Sequence, residues 1–336
     1  MHLADPVKTA VPAPVSSRIP RRFLAFVLLI AGLVAAFGVP LYSLALHAAH
    51  SNLHSYILLI PFVSAYLIYT HWNQLPREYG SAFGCALSSA AIGSAALVTA
   101  WRLPASGYSI SLNDHLSLIA FSFVCFIWSG GCAFLGSKWM RAAAFPMAFL
   151  AFAIPLPDMV ADYLENASKL ASAEVASFLF NATGTPVLRD GTVFQLPGIT
   201  IEVAKECSGI RSSLVLLITS LLASHLFLRS RWRRVLLSAA VIPLGLLRNG
   251  FRILVISLLC VHYGPQMINS PIHRRGGPIF FTASLIPLFL LLWWLRRSDV
   301  TATDRNTGSE AGKVQLPPRM PLSSDPKLHE RQRTGG

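Results

Sequence analysis

Charge is scarce in this chain. Only 13% of its 336 residues are Asp, Glu, Lys or Arg, against about a quarter in soluble domains. Acidic residues are the rarer kind, 15 against 28 basic. That composition excludes an ordinary water-exposed globular surface. Cysteine is sparse too. Of the five, Cys85, Cys125, Cys132 and Cys260 lie within strongly apolar stretches, where a thiol acts as a small hydrophobe. There is no CxxC and no HExxH, which excludes a disulfide framework and the common metal-ligand spacings. We expect neither metal nor cofactor. His47, His50 and His54 are closely spaced but have no carboxylate or cysteine beside them, so a loop role is preferred to metal binding.

What the chain has instead is long apolar blocks, 53% hydrophobic residues overall. A helix needs roughly 20 residues to cross the hydrocarbon. Eight spans are predicted: Phe23–Leu46, Leu53–Trp72, Ala82–Trp101, Leu116–Leu135, Trp139–Leu156, Ile210–Leu228, Val235–Val261 and Pro278–Leu295. The fold class is therefore an all-α polytopic membrane protein. Residues 1–22 form a polar N-terminal segment, read as cytoplasmic and not as a cleaved signal peptide, because the first apolar run is longer than a signal core. Residues 23–297 form the membrane domain, and the Ser-, Thr-, Pro- and Lys/Arg-rich stretch 298–336 reads as a disordered cytoplasmic tail.

The formal net charge of +13 does not point to nucleic acid, because the basic residues gather at the ends of apolar runs. With the N-terminus inside, 19 of the 28 Lys and Arg fall on inner segments, and the Arg229, Arg231, Arg233 and Arg234 cluster fixes the sixth and seventh spans. Cys207 then falls at the outer end of the sixth span. Arg252 lies 17 residues past Val235, roughly 25 Å up a helix at about 1.5 Å per residue, and His273 falls in the outer loop before the eighth span.

The largest outer segment, residues 157–208, leads to Cys207. Val160, Tyr163, Leu164, Ala167, Leu170, Ala171, Val175, Phe178 and Leu179 form a helical stripe, with Asp158 as N-cap and Asp162, Glu165, Lys169 and Glu174 opposite it. This predicts an amphipathic helix on the outer membrane surface. An Asp190-Gly191 turn between β-formers predicts a hairpin, and the alternation Ile199 to Val203 suggests a further strand. That small structure has an edge with which an extended peptide could pair.

Cys207 sits in Glu206-Cys207-Ser208-Gly209-Ile210, just before a helix start whose dipole favours a thiolate. It reads as a nucleophile or as a cysteine packed at a helix start. Arg248 and Arg252 are one turn apart on one face, with Asn249 between them. Arginines within a span are costly, so they suit oxyanion stabilisation better than snorkelling. His273 can move a proton near neutral pH or be a plain loop histidine beside Arg274 and Arg275. Glu206 either orients the site or is solvated. Two other classes fit parts of the pattern. A transporter could use the arginines for an anionic solute, although no repeated halves or paired broken helices are found. A non-catalytic assembly factor would use the outer segment only for docking.

Three segments together, Glu206-Cys207-Ser208-Gly209-Ile210, Asn249-Gly250-Phe251-Arg252-Ile253, and His273 followed by Gly276 and Gly277, resemble the exosortase/archaeosortase family, with its E-C-S-G, N-x-x-R-I and histidine-then-glycine segments. His54-Ser55-Tyr56 and the approach from Gly184-Thr185-Pro186-Val187 to Leu196-Pro197 add to the likeness, which spans roughly residues 20 to 297. The resemblance implies a membrane cysteine protease or transpeptidase in a bacterial inner membrane, with Cys207 as nucleophile, Arg252 as the family arginine and His273 as the family histidine. Arg248 lies outside the matched pattern and its role stays open; Glu206, Ser208, Gly209 and Asn249 would support the site. It also implies as partners exported proteins ending in a short motif, often Pro-Glu-Pro, then a transmembrane helix and a basic tail. Some relatives carry an added C-terminal domain for exopolysaccharide production, which is not expected here.

Overall fold

The computed structural model describes residues 20–51, 53–203, 209–264, 266–267 and 277–311, with side chains in the last segment to Ser298. The architecture is helical apart from one three-stranded sheet. Helix α1 (Arg21–Ala36) turns by 72° at Phe37 into α2 (Gly38–His50). A 3-10 turn (Ser55–Leu59) leads into α3 (Ile60–Thr70). Helix α4 (Phe83–Ala105) packs along α5 (Leu112–Gly130). The contact is close because small residues face it. Ser89 Oγ donates to the Cys125 carbonyl and Ser129 Oγ to the Ala86 carbonyl, both at 2.8 Å. Such hydroxyl bonds and short side chains are what hold helices together where lipid removes the hydrophobic drive.

Helix α5 continues through a π-turn (Gly131–Leu135) into α6 (Gly136–Ala142), an apolar run of 31 residues. Trp139, predicted to open a fifth span, belongs to this run and packs with Phe26 and Leu135. The predicted span Trp139–Leu156 is thus not a single helix. After Ala142 the chain climbs back beside α5 as α7 (Ala144–Phe149), a 3-10 turn (Leu150–Ala153) and extended residues up to Pro157. Unwound backbone deep in a membrane protein must find donors inside the protein. Here Ser117 Oγ donates to the Pro155 carbonyl at 3.0 Å and Asn113 Nδ2 to the Leu156 carbonyl at 2.7 Å.

Helix α8 (Asp158–Ala182) leaves this segment at 92°. Its start differs from expectation. Asp158 is the first helical residue, and its N–H is capped by Asp114 Oδ1 of α5 at 2.7 Å. Its two faces are distinct. Ser172, Ala173, Ala176 and Phe180 are buried, whereas the expected stripe is turned outward, with Tyr163 73%, Leu170 52% and Phe178 70% exposed. Small residues pack against protein, and the apolar stripe is left for lipid. The sheet follows: β1 (Leu188–Asp190), β2 (Val193–Leu196) and β3 (Ile199–Glu202), antiparallel in that order. The hairpin turn is centred on Gly191 and Thr192, one residue later than the expected Asp-Gly pair.

Helix α9 (Ile210–Phe227) follows the sheet, and α10 (Arg231–Ala239) with α11 (Val241–Tyr263) makes a 33-residue return. At about 1.5 Å per residue that is roughly 50 Å, well beyond the ~30 Å hydrocarbon. The excess is used. Ile253, Leu254, Ile256 and Cys260 join Ala176, Phe180, Phe194 and Ile201 in one buried core beneath the sheet. Helix α12 (Gly277–Ala311) closes a second core with Leu216, Leu237 and Leu288. The two halves of the chain also meet at the opposite end, where the His225 ring stacks on Phe145 at 3.8 Å.

Among the described residues five helices are long and apolar enough to cross a membrane, or seven spans if each bent pair counts as one. This is a multi-pass α-helical membrane protein with a small outer sheet. The expected eight crossings are not found as eight helices: the first is bent by 72° at Phe37, the second is only the short apolar stretch Ser55–Thr70, and the fifth divides between the α5–α6 run and α7.

Candidate active site

Of the expected site residues, Glu206, Cys207, Ser208 and His273 lie outside the described residues. Gly209, Arg248, Asn249 and Arg252 are described, and the first three are in contact. Gly209 starts α9 in the left-handed region, φ 74° and ψ 3°. A side chain there would be strained, and a Cβ would stand 3.0 Å from Asn249 Cγ and 3.2 Å from Arg248 Nη2. The glycine is what lets α11 approach the turn that follows Cys207.

The Gly209 carbonyl is the centre of this contact. It accepts from the Ser213 N–H at 3.0 Å, from Ser212 Oγ at 3.0 Å and from Arg248 Nη2 at 3.1 Å. Arg248 Nη2 also reaches Ser213 Oγ at 3.3 Å. Arg248 is 9% exposed, so its charge is held where water is scarce, and its bonds to the start of α9 offset part of that cost. Its second terminal nitrogen, Nη1, is buried and has no hydrogen-bond partner among the described residues. A buried donor of this kind calls for an acceptor.

Asn249, 2% exposed, donates from Nδ2 to Ser172 Oγ of α8 at 2.9 Å. One residue on, Gly250 meets Val175. A Cβ at Gly250 would lie 2.6 Å from Val175 Cγ1 and 3.1 Å from the Ala176 nitrogen. Helices α8, α9 and α11 are thus locked together by Ser172, Gly209, Arg248, Asn249 and Gly250. Ser172 and Ser213 were not singled out in the sequence. Each is one serine among many in apolar runs, and only the contact with Asn249 or Arg248 distinguishes it.

Arg252 is one turn further out on α11 and half-buried. Counted from Arg231, the start of α10, it is 21 residues along, roughly 31 Å up the helix pair. The sheet above it is braced by Arg189, which bonds Glu174 of α8 at 2.8 Å and holds that carboxyl below its usual range. The histidines His47 and His54 stand with ring centroids 5.8 Å apart near the start of α8. No group of three or more metal-ligating side chains occurs among the described residues. A cleft of 210 Å³ lies between loop 78–81 and residues 135–138, at the end of the molecule away from Arg252.

The fold and the Gly209–Arg248–Asn249 contact thus define a helical membrane protein with a buried polar centre where α8, α9 and α11 meet. The transmembrane exosortase family model (Exosortase_EpsH) matches residues 46–290, and the chain belongs to that family. No curated protein and no solved structure matches the chain.

Proposed function

We propose that this protein is a membrane-embedded cysteine peptidase or transpeptidase that cleaves the C-terminal sorting signal of exported proteins at the outer face of a bacterial inner membrane. The observation that carries the reading is the bond from Arg248 to the Gly209 carbonyl, at 3.1 Å. It ties the arginine-bearing helix to the turn two residues after Cys207, within a chain of the exosortase family. A substrate helix docks among the spans and brings its juxtamembrane peptide bond to Cys207. The thiolate attacks the carbonyl carbon, and Arg252 stabilises the oxyanion. The C–N bond breaks as His273 gives a proton to the leaving amine, which leaves a thioester. Water, or an amine on an acceptor, then adds to the thioester, and the thiolate leaves.

Arg248 has a different part in this scheme. Nη2 is committed to Gly209 and Ser213, so Arg248 positions the start of α9, and Nη1 remains as a second donor for substrate. The same commitment counts against a transporter in which both arginines bind a solute. Substitution tests the reading. Cys207→Ala and Cys207→Ser should each give folded protein that leaves a sorting-signal substrate at full length, seen by intact-mass spectrometry. Normal shortening by both variants would end the proposal, and the mass of the new C-terminus in wild type separates hydrolysis from transfer.

A further inference from the structure

Strand β3 is an edge with which no other strand pairs among the described residues. The Val203 N–H bonds the Thr192 carbonyl at 3.0 Å, and the register pairs Glu202 with Val193, Ile201 with Phe194 and Thr200 with Gln195. In an antiparallel ladder, bonded and non-bonded pairs alternate. Ile199, Ile201 and Val203 therefore bond toward β2, and the peptide groups of Thr200 and Glu202 point away from it. No backbone hydrogen bond from outside the ladder reaches Thr200 or Glu202 among the described residues. Both residues are exposed, whereas Ile201 and Val203 are buried against α8 and α11. The strand has neither proline nor bulge, the usual devices that blunt an edge. The other edge, β1, is braced by the Arg189–Glu174 ion pair.

We propose that β3 takes an extended segment of the exported substrate as a fourth strand, parallel to itself. This rests on reading Cys207 as the nucleophile. Order along the chain argues for that occupant and that direction. β3 ends at Glu202, Cys207 follows five residues later, and α9 begins at Ile210, entering the membrane from the outer side in the topology proposed above. A substrate of the class proposed above has the same plan: an extended stretch, a scissile bond, and a helix entering from the outer side. Two chains of one plan laid side by side run parallel. The thiol would then meet a bond on the order of five residues downstream of the stretch held by Glu202. Backbone bonds from the outward groups of Thr200 and Glu202 supply affinity without demanding particular side chains, so one edge can serve substrates of varied sequence.

The test uses full-length Cys207→Ala protein in lipid nanodiscs. The probe is a fluorescein-labelled synthetic peptide carrying a Pro-Glu-Pro motif, an apolar helix and a basic tail. Thr200→Pro and Glu202→Pro each remove one outward N–H and leave the bonds to β2 in place. Each should weaken peptide binding roughly three- to ten-fold, the worth of one backbone hydrogen bond. N-methylation of the peptide backbone, one residue at a time upstream of the helix, should weaken binding at every second position. That arm uses the unaltered strand, so it stands even if a proline variant fails to fold. Unchanged affinity in both proline variants when folded, losses without the two-residue period, or no peptide binding at all would each overturn the proposal. Failure of the nucleophile reading shows separately, as continued processing by Cys207→Ala, because these binding measurements need no turnover.

Discussion

Arg248 and Gly209, 39 residues apart in sequence, are joined by a guanidinium-to-carbonyl hydrogen bond of 3.1 Å. The bond crosses from α11 to the first turn of α9. Its partner Arg252, one turn further out, is not needed for that contact. The two arginines should therefore fail differently. On the proposed mechanism Arg252→Ala removes an oxyanion donor and should lower the processing rate by about 10²–10³-fold. Arg248→Ala removes a charged hydrogen bond, worth about 1.5–3 kcal/mol, and should slow processing by roughly 10–150-fold. Arg248→Lys should recover part of the loss, because an ammonium can still reach one acceptor. The pH dependence of Cys207 alkylation gives an independent check. Loss of either cation should move the thiol's reactivity to higher pH. An Arg248→Ala protein with wild-type rate and alkylation profile would remove its positioning role.

Gly209→Ala addresses the same joint from the other side. An L-residue in the left-handed region costs about 1–2 kcal/mol, and the new Cβ would lie 3.0 Å from Asn249 Cγ. The melting temperature should fall, and processing should fall further than at an exposed control glycine such as Gly184, which also has positive φ but nothing within 4 Å. Equal effects at the two positions would show that backbone strain alone, and not the approach of α11, explains Gly209.

Gly250 tests whether α8 must lie against α11. In Gly250→Val the branched side chain would meet Val175 and the α8 backbone at 2.6–3.1 Å. Overpacking of this kind costs about 1–3 kcal/mol. Val175→Ala made together with Gly250→Val should recover part of the stability, because the nearest clashing atoms are its side chain. The measurement is thermal denaturation in detergent or nanodiscs. No recovery in the double variant would locate the clash in the α8 backbone instead.

Much of this arrangement was legible before any coordinates. The apolar run Ile210–Leu228 gave α9 nearly to its ends, the run Val235–Val261 covered the end of α10 and most of α11 without the break between them, and alternation from Ile199 gave β3. The misreadings share a cause. Periodicity says that a face is apolar, not whether protein or lipid covers it. In α8 Tyr163 and Phe178 of the expected apolar stripe face outward, and the face packed on protein carries Ser172, Ala173 and Ala176, which the pattern did not single out. Trp139 looked like the start of a span because hydropathy does not register the π-turn that carries α5 onward into α6. Asp158 looked like its own helix cap because Asp114, which caps it, is 44 residues away. The role of Arg248 was open for the same reason: its acceptor, the carbonyl of Gly209, is a backbone atom with no signature in sequence.

His54 should give the protein a pH dependence of its own. It is 4% exposed, its Nε2 has no partner among the described residues, and Ser51 Oγ lies 3.3 Å from its Nδ1. Burial pushes its pKa below the ordinary 6.5, the neighbouring His47 pushes the same way, and Asp158 at the start of α8 opposes them. In the unfolded chain the imidazole takes up a proton as pH falls through 6.5; in the folded protein it does so only at lower pH. Between those two values the unfolded state binds more protons, so stability rises with pH there and is lost as pH falls. Above 6.5 both states are neutral and the contribution is flat. The slope for one such group is at most about 1.4 kcal/mol per pH unit. Melting temperatures between pH 7.5 and pH 5 should therefore decline, and His54→Gln, which cannot titrate, should decline less. Parallel declines in the two proteins would place the acid sensitivity elsewhere.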